Sequence, residues 1–414
     1  MRVLFVNPAG ILGGAERSLL DLIVSLRASR PSLDPRLLLL ADGPLVRQVE
    51  EIGVPVRVLS MPAALGDLGD SVLGARGGAP AALDLLSSVA GAGLRLPGFV
   101  RRLRALVREE RPDLIHSNGN KSHLLASLAA VKGIPIVWHV RDFIGSRRVM
   151  ARLLGAARGR AASAIAISKA VGEDVEATLP GLPVDVVYNA IDVESFAPGP
   201  GDGRHLDALA GAPALRDGGV RVGLVATFAH WKGHGVFIEA AARALGSLPA
   251  ESVRFYVVGG PVYATRGSQV SQESLKARAE RLGIAGEVAF AGFQGEIAGV
   301  YRALDIVVHA STQPEPFGRT IVEAMACGRP VIASRAGGAA EIFDHGRDAI
   351  GVPPGDAEAL AAAIISLAAR PEERRRLGEE ARRTAVARFS RTRLGPEVGG
   401  IYDALLSRKP APIL

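Results

Sequence analysis

Two runs of strand–helix alternation, parted by one stretch rich in proline and glycine, constrain this chain more than any other feature. In the first run, Val3–Asn7, Arg36–Leu40, Val56–Leu59, Leu114–His116, Ile136–His139, Ala164–Ile167 and Val184–Tyr188 read as short apolar strands. Amphipathic helices lie between them. In Ala15–Arg27, for example, Leu19, Leu20, Ile23, Val24 and Leu26 fall on one side. Apolar strands alternating with helices predict a parallel sheet covered on both faces.

The pattern breaks at Phe196–Gly219, whose Pro, Gly and Ala content predicts a linker. It then restarts with Arg221–Thr227, Arg254–Val258, Val288–Ala291, Ile306–His309 and Pro330–Ser334 as strands. The expected organisation is a first domain over 1–195, a linker over 196–219 and a second domain over 220–395. A last helix over 396–414 is expected to cross back to the first domain. The fold class is therefore α/β, with two doubly wound, Rossmann-like domains. Ligands of such sheets bind at the carboxyl ends of the strands, so two such domains are expected to face each other across a cleft.

Charge and composition narrow the chemistry. A single cysteine, Cys327, excludes an internal disulfide and any cysteine-based metal cluster, and fits a reducing cytoplasm. The apolar start is too short for a signal peptide and reads as a buried first strand. No run reaches the roughly 18 uninterrupted apolar residues of a membrane span. The net charge of +7 is uneven: Arg95–Lys169 holds fifteen Lys/Arg against four Asp/Glu. Such a cluster suits an anionic membrane surface or another polyanion, the alternative being a solvated arginine-rich face. Nucleic acid is disfavoured, because the aromatic residues that stack on bases are missing beside the charge.

The richest segment for chemistry runs from Ser311 to Ala326, with Glu315, Phe317, Gly318, Arg319, Thr320 and Glu323 in its loop and helix start. A strand ends at His309 and a helix is expected to begin near Gly318. The free N–H groups at a helix start favour an anion, so Phe317 and Gly318 are candidates to hold a phosphate. Glu315 and Glu323 would flank it, and carboxylates accept hydrogen bonds from vicinal sugar or ribose hydroxyls. The bland alternative makes Glu323 a buried, paired helix residue and leaves Glu315 without a role. A glutamate is almost never buried without a partner, so two in one segment need a reason.

The frame E-P-F-G-x-x-x-x-E-A-M-A-x-G-x-P-V-I-A resembles the donor-binding motif of family-4 retaining glycosyltransferases, the group 1 enzymes of GT-B fold. The likeness continues through Gly337-Gly338, Glu341-Ile342 and Gly346. By resemblance, Glu315 holds the donor sugar's hydroxyls as a catalytic-site residue and Glu323 holds the nucleotide ribose. Further elements follow the family's order. Lys232-Gly233, after the first strand of the second run, matches a phosphate-binding Lys-Gly, whereas Thr227 stands where the family carries an Arg. That loss removes a bidentate phosphate donor, and Arg319 is the candidate substitute. Gly13-Gly14-Ala15-Glu16 matches a glycine loop that approaches the donor phosphate from the first domain. It is not a dinucleotide-binding G-x-G-x-x-G.

The family keeps a histidine where His139 ends a strand, so His139 is the second candidate catalytic residue, placed to position a sugar hydroxyl. Asn118 and Asn189, with Glu16, are candidates on the acceptor side. Gly292-Phe293 stands where the family places its nucleobase pocket, the alternative being a core phenylalanine. No metal or other cofactor is expected: the sequence has no D-x-D pair, and His230 and His234 straddle the Lys232 loop without a third ligand.

The resemblance thus implies an enzyme moving a sugar from a nucleotide-diphosphate sugar to an acceptor with retention of anomeric configuration. The basic first domain suggests a glycan or lipid-linked cell-envelope acceptor, met on the inner face of the membrane. Two other readings stay open: a sugar-nucleotide epimerase or hydrolase, and a non-catalytic sugar-nucleotide binder.

Overall fold

The computed structural model describes residues 1–62, 79–261 and 269–407. They form two compact units, one of Met1–Asn189 with the residues from Arg391 onward, the other of Ala190–Ser390.

In the first unit, β1 (Arg2–Asn7), β2 (Asp34–Leu39), β3 (Val56–Val58), β4 (Leu114–Asn118), β5 (Ile136–Val140), β6 (Ser163–Ala166) and β7 (Val184–Val186) form one sheet. Its order is β3-β2-β1-β4-β5-β6-β7, and every pair is parallel. The order reverses between β1 and β4, which makes the carboxyl ends of those strands a switch point. Helices α1 (Gly14–Ser29), α2 (Leu45–Glu51), α3 (Ala79–Glu110), α4 (Asn120–Leu128), α5 (Arg148–Ala157) and α6 (Lys169–Thr178) supply the crossovers. Because helices cover both faces, β1, β4 and β5 are buried almost throughout rather than alternating, and β1 and β5 are mostly apolar.

The second unit begins with α7 (Gly203–Leu209) and a six-stranded parallel sheet of order β10-β9-β8-β11-β12-β13. Its strands are β8 (Val220–Val225), β9 (Val253–Val258), β10 (Val288–Gly292), β11 (Ile306–His309), β12 (Val331–Ser334) and β13 (Ile350–Val352). Its remaining helices are α8 (His234–Leu245), α9 (Gln272–Arg281), α10 (Ile297–Ala303), α11 (Arg319–Ala326), α12 (Ala357–Ala368) and α13 (Pro371–Phe389). The strand β13 has no counterpart in the sequence reading, because three residues with a central glycine carry no periodicity.

The proline- and glycine-rich stretch is not bare linker: α7 sits inside it, started by the Asp202 carboxylate accepting from the His205 N–H at 2.8 Å. Asp207, buried within α7, accepts from Arg221 at 2.8 Å and from the Tyr256 hydroxyl, tying the segment to β8 and β9. Composition hid these bonds, since each partner lies in a later strand.

The chain's last described helix, α14 (Leu394–Ser407), packs on α1 of the first unit. The Gly395 N–H donates to Ser25 Oγ at 2.8 Å, and Arg30 grips Asp403 at 2.6 and 2.8 Å. Residues 408–414 of the expected helix lie outside the described residues. Among the described residues, no helix is long and apolar enough to cross a membrane.

Candidate functional site

In the second unit, the carboxyl end of β11 leads into the loop Ala310–Gly318 and then α11. Two backbone bonds hold the loop: the Glu315 N–H donates to Ala336 O at 3.3 Å, and the Gly338 N–H donates to Glu315 O at 2.7 Å. Gly337 makes this approach possible. Its φ is +61°, and a Cβ there would lie 2.5 Å from the Glu315 carbonyl oxygen. The G-G step after β12 is therefore the strut that sets the height of Glu315.

The Glu315 side chain is buried and takes three neighbours. Lys232 Nζ bonds Oε1, Ser311 Oγ donates to the same oxygen at 2.6 Å, and His309 Nε2 lies 3.7 Å away. Burial pushes the Glu315 carboxyl up, but the Lys232 charge and the His309 contact outweigh it and hold the group well below the usual carboxylate range. The carboxylate is ionised at neutral pH. Lys232 reaches it because Gly233, at φ +73°, turns the chain against the end of β11; a Cβ there would lie 1.8 Å from Ala310 O. No other residue type fits that turn.

Glu323, two turns into the same motif, is also buried. Arg319 Nε donates to its Oε1 at 2.7 Å, and the Tyr301 hydroxyl to its Oε2 at 3.0 Å. Burial and the Glu323 charge push the Tyr301 hydroxyl well above its ordinary range, so it stays a donor. Both motif glutamates are thus satisfied, each by one cation and one hydroxyl. The bland alternative was right about the pairing of Glu323. Arg319, put forward to replace the family arginine, is engaged through Nε with Glu323, and Thr227 is a half-buried residue just past β8.

The other donor-side candidates divide by which atoms they can offer. Phe317 is 2 % exposed and packs edge-on against Phe389, so only its backbone can meet a ligand. Gly318 caps α11 at φ +108°, and Thr320 lies half-buried in the first turn, where N–H groups lack intrahelical partners. Phe293, just past β10, is 62 % exposed and is not a core residue. His230 is exposed whereas His234 is buried against Phe228, so the two do not act as a pair. Among the described residues, no three His, Cys, Asp or Glu side chains gather as a metal-holding group.

In the first unit, the carboxyl ends of β1, β4 and β5 bring together Asn7, His116, Asn118, His139 and Arg141. Arg141 organises them. Its guanidinium donates to Asn118 Oδ1, to Asn189 Oδ1 at 2.6 Å and to His139 Nδ1 at 3.3 Å. Asn118 in turn donates to Asn7 Oδ1 at 2.6 Å. The amide oxygens of Asn118 and Asn189 therefore face Arg141, and both residues are buried. His139 is 2 % exposed, and burial together with the Arg141 charge pushes it well below its ordinary range, so the ring is neutral.

In the glycine loop, Gly13 caps α1 and its N–H donates to Glu16 Oε2 at 3.1 Å. Glu16 is buried and within 3.5 Å of Asn7 Nδ2; it braces the loop from within, while Gly14 is exposed. Burial pushes the Glu16 carboxyl up, against the Gly13 N–H, Asn7 and Arg141.

Arg141, Tyr301, His309, Ser311 and Tyr402 had no role in the sequence reading. His309 and Ser311 stand beside the motif and alternate at a strand end, a usable signal. Tyr301 and Tyr402 gave none, because their partners lie far along the chain.

Two family models match the chain: glycosyl transferases group 1 over residues 211–384 and glycosyltransferase family 4 over residues 12–195. The lipopolysaccharide core biosynthesis glycosyltransferase LpsE of Rhizobium meliloti (strain 1021) is 32% identical over 209 residues, covering 50% of this chain and 54% of that protein. The D-inositol 3-phosphate glycosyltransferase of Rhodococcus opacus (strain B4) is 35% identical over 205 residues, 49% of this chain and 44% of that protein. The chain spans about half the length of the curated relatives it matches. Among solved structures, Anabaena Alr3699/HepE in complex with UDP-glucose superposes with a TM-score of 0.77 at 27% identity, covering 98% of this chain and 100% of that one. The sucrose-phosphate synthase of Thermosynechococcus elongatus shares the fold, with a TM-score of 0.75 at 20% identity over 99% of this chain and 100% of its own.

Proposed function

We propose that this chain, which belongs to the family-4, group 1 glycosyltransferases and has their GT-B fold, moves a sugar from a nucleotide-diphosphate sugar to an acceptor with retention of anomeric configuration. The observation that carries the reading is the Glu315 site: a buried, ionised carboxylate beside Lys232, one strand end from a helix start that offers N–H groups.

In this reading Glu315 accepts from hydroxyls of the donor sugar, and Glu323 accepts from the ribose. The N–H groups from Gly318 to Thr320 and the Lys232 ammonium counter the leaving diphosphate. Lys232 can do so by turning from Glu315, because an ammonium on a four-carbon stem is mobile. Phe293, exposed beyond β10, offers a ring face to the base. HepE of Anabaena binds UDP and UDP-glucose, so uridine is the first base to try. This reading routes no step through a metal: the Lys232 ammonium and the backbone N–H groups at the α11 start face the diphosphate.

A glycan or lipid-linked envelope precursor, met at the inner face of the membrane, is the acceptor this reading favours. Its support is the face of α5, where Val149 and Leu153, 39 % and 44 % exposed, each follow an exposed arginine, Arg148 and Arg152. Helix α3, which like α5 packs on α4, adds the exposed Arg101, Arg102 and Arg108.

The test is incubation of the purified chain with UDP-, GDP- and ADP-sugars, following nucleoside diphosphate release with and without envelope glycan acceptors. Acceptor-dependent release is expected. Release without an acceptor would favour a hydrolase, a changed sugar a donor epimerase, and tight binding without turnover a sugar-nucleotide binder.

A further inference from the structure

We propose that Tyr402 and His116 are positioning residues that, with Arg141, hold His139 as a neutral imidazole whose single proton sits on Nε2, presented as a hydrogen-bond donor to a substrate oxygen. The inference rests on the glycosyltransferase reading only for the identity of that substrate.

The direction of each bond follows from what each group can do. The Tyr402 oxygen, on α14, lies 2.7 Å from His116 Nδ1, and His116 Nε2 lies 3.0 Å from His139 Nδ1. The same His139 nitrogen faces Arg141 Nη2 at 3.3 Å. A guanidinium only donates, so His139 Nδ1 must be the acceptor. His116 Nε2, which shares that acceptor, must then carry a proton. Neutral His116 has its lone pair on Nδ1, and Tyr402 is left as the donor. The bonds run one way, from Tyr402 through His116 to His139. The reverse order would aim a His139 N–H at a guanidinium.

The remaining ring atom, His139 Nε2, therefore bears the proton. It is buried and has no hydrogen-bond partner among the described residues. A buried donor left unpaired is unfavourable, and a water or a ligand atom that accepts from it removes that cost. His139 stands at the carboxyl end of β5, on the edge of the sheet where ligands of doubly wound folds bind. Burial also pushes the Tyr402 hydroxyl far above its ordinary range and His116 below its own, so neither group changes charge near neutrality.

A neutral donor suits glycosyl transfer. It orients a hydroxyl oxygen by a hydrogen bond, whereas an imidazolium would repel the positive charge developing at the anomeric carbon. Tyr402 reaches this site because α14 returns to α1. The last helix thus contributes a group to a site more than 280 residues earlier in the chain.

Long-range proton–nitrogen NMR on the full chain labelled with ring-15N histidine tests the proposal. His139 and His116, assigned by the signals lost in His139→Gln and His116→Phe, are both expected as Nε2–H tautomers. In Tyr402→Phe, His116 is expected to keep its Nε2–H proton while its Nδ1 signal moves on losing the hydroxyl donor. In His116→Phe, the His139 nitrogen signals are expected to move, and kcat to fall about tenfold with donor KM within about twofold. Protonation of His139 on Nδ1 in the unaltered chain would overturn the proposal, whatever the variants do. So would unchanged His116 and His139 nitrogens in both folded variants. The spectra need no turnover, so a chain that transfers no sugar would refute the proposed function and leave this result standing on its own.

Discussion

Lys232 and Glu315 stand 83 residues apart in sequence and share a partly buried ion pair at the end of β11. Ser311 completes the carboxylate and Gly233 bends the chain that brings the lysine. Glu315→Gln keeps the shape and removes the charge. We expect it to lower kcat by on the order of 100-fold, with nucleoside diphosphate affinity nearly unchanged. Steady-state kinetics beside calorimetric titration decide it; full transfer activity in the variant would refute the site.

Glu323 is expected to read the ribose. The unaltered chain should prefer a nucleoside diphosphate to its 2′-deoxy analogue, and Glu323→Gln should erase most of that preference, about 1–3 kcal/mol. Calorimetry of two ligands against two proteins forms a complete cycle. A preference that survives the substitution would return Glu323 to a purely structural partner of Arg319 and Tyr301.

Gly233→Ala should hurt function and fold together. The residue sits at φ +73° with its would-be Cβ 1.8 Å from Ala310 O, so the turn must move. A loss of at least about 1–3 kcal/mol is expected in urea melts, with weaker diphosphate binding as Lys232 is displaced. An unchanged melt would show that the turn yields more easily than its geometry implies.

Acid should destabilise the first unit before its carboxylates titrate. Burial, helped by Arg141, holds His116, His123 and His139 below their ordinary 6.5, with His123 lowered to about 3. Below pH 6.5 the unfolded chain binds protons that the folded chain refuses. The stability contributed by these groups is complete above pH 6.5 and is lost as pH falls, by about 1.4 kcal/mol per pH unit for each histidine. Urea melts between pH 7.5 and 5 measure the slope; a flat profile would mean that the rings already titrate in the folded state.

The arginine-rich face of α5 should bind anionic bilayers. Vesicles with phosphatidylserine should retain the chain at low salt, and neutral vesicles should not. Leu153→Asp combined with Arg152→Glu should abolish retention without lowering the melting temperature, because both residues are exposed. Equal binding to neutral vesicles would remove the membrane from the proposed function.

Much of the candidate site was readable before any coordinates. The spacing of Glu315 and Glu323, the glycines at 233, 318 and 337, and the strand-end position of His139 are local. Each follows from a few consecutive residues and the backbone geometry that they permit. Phe293 shows the limit: its position was readable, but only the structure showed that its ring lies outside the core.

The sequence by itself determined the two parallel-sheet units, because apolar strands alternating with amphipathic helices can bury their surfaces in few other ways. It also determined the acidic motif from Glu315 to Glu323. Only the tertiary structure decided which distant groups meet: Lys232 with Glu315, and Arg141 with Asn118 and Asn189. It also delivered Tyr402 to His116 and made α7 part of the second unit. The physical reason is separation along the chain. A turn is encoded where it occurs, whereas most of these partnerships exist only after strand order has folded distant segments together.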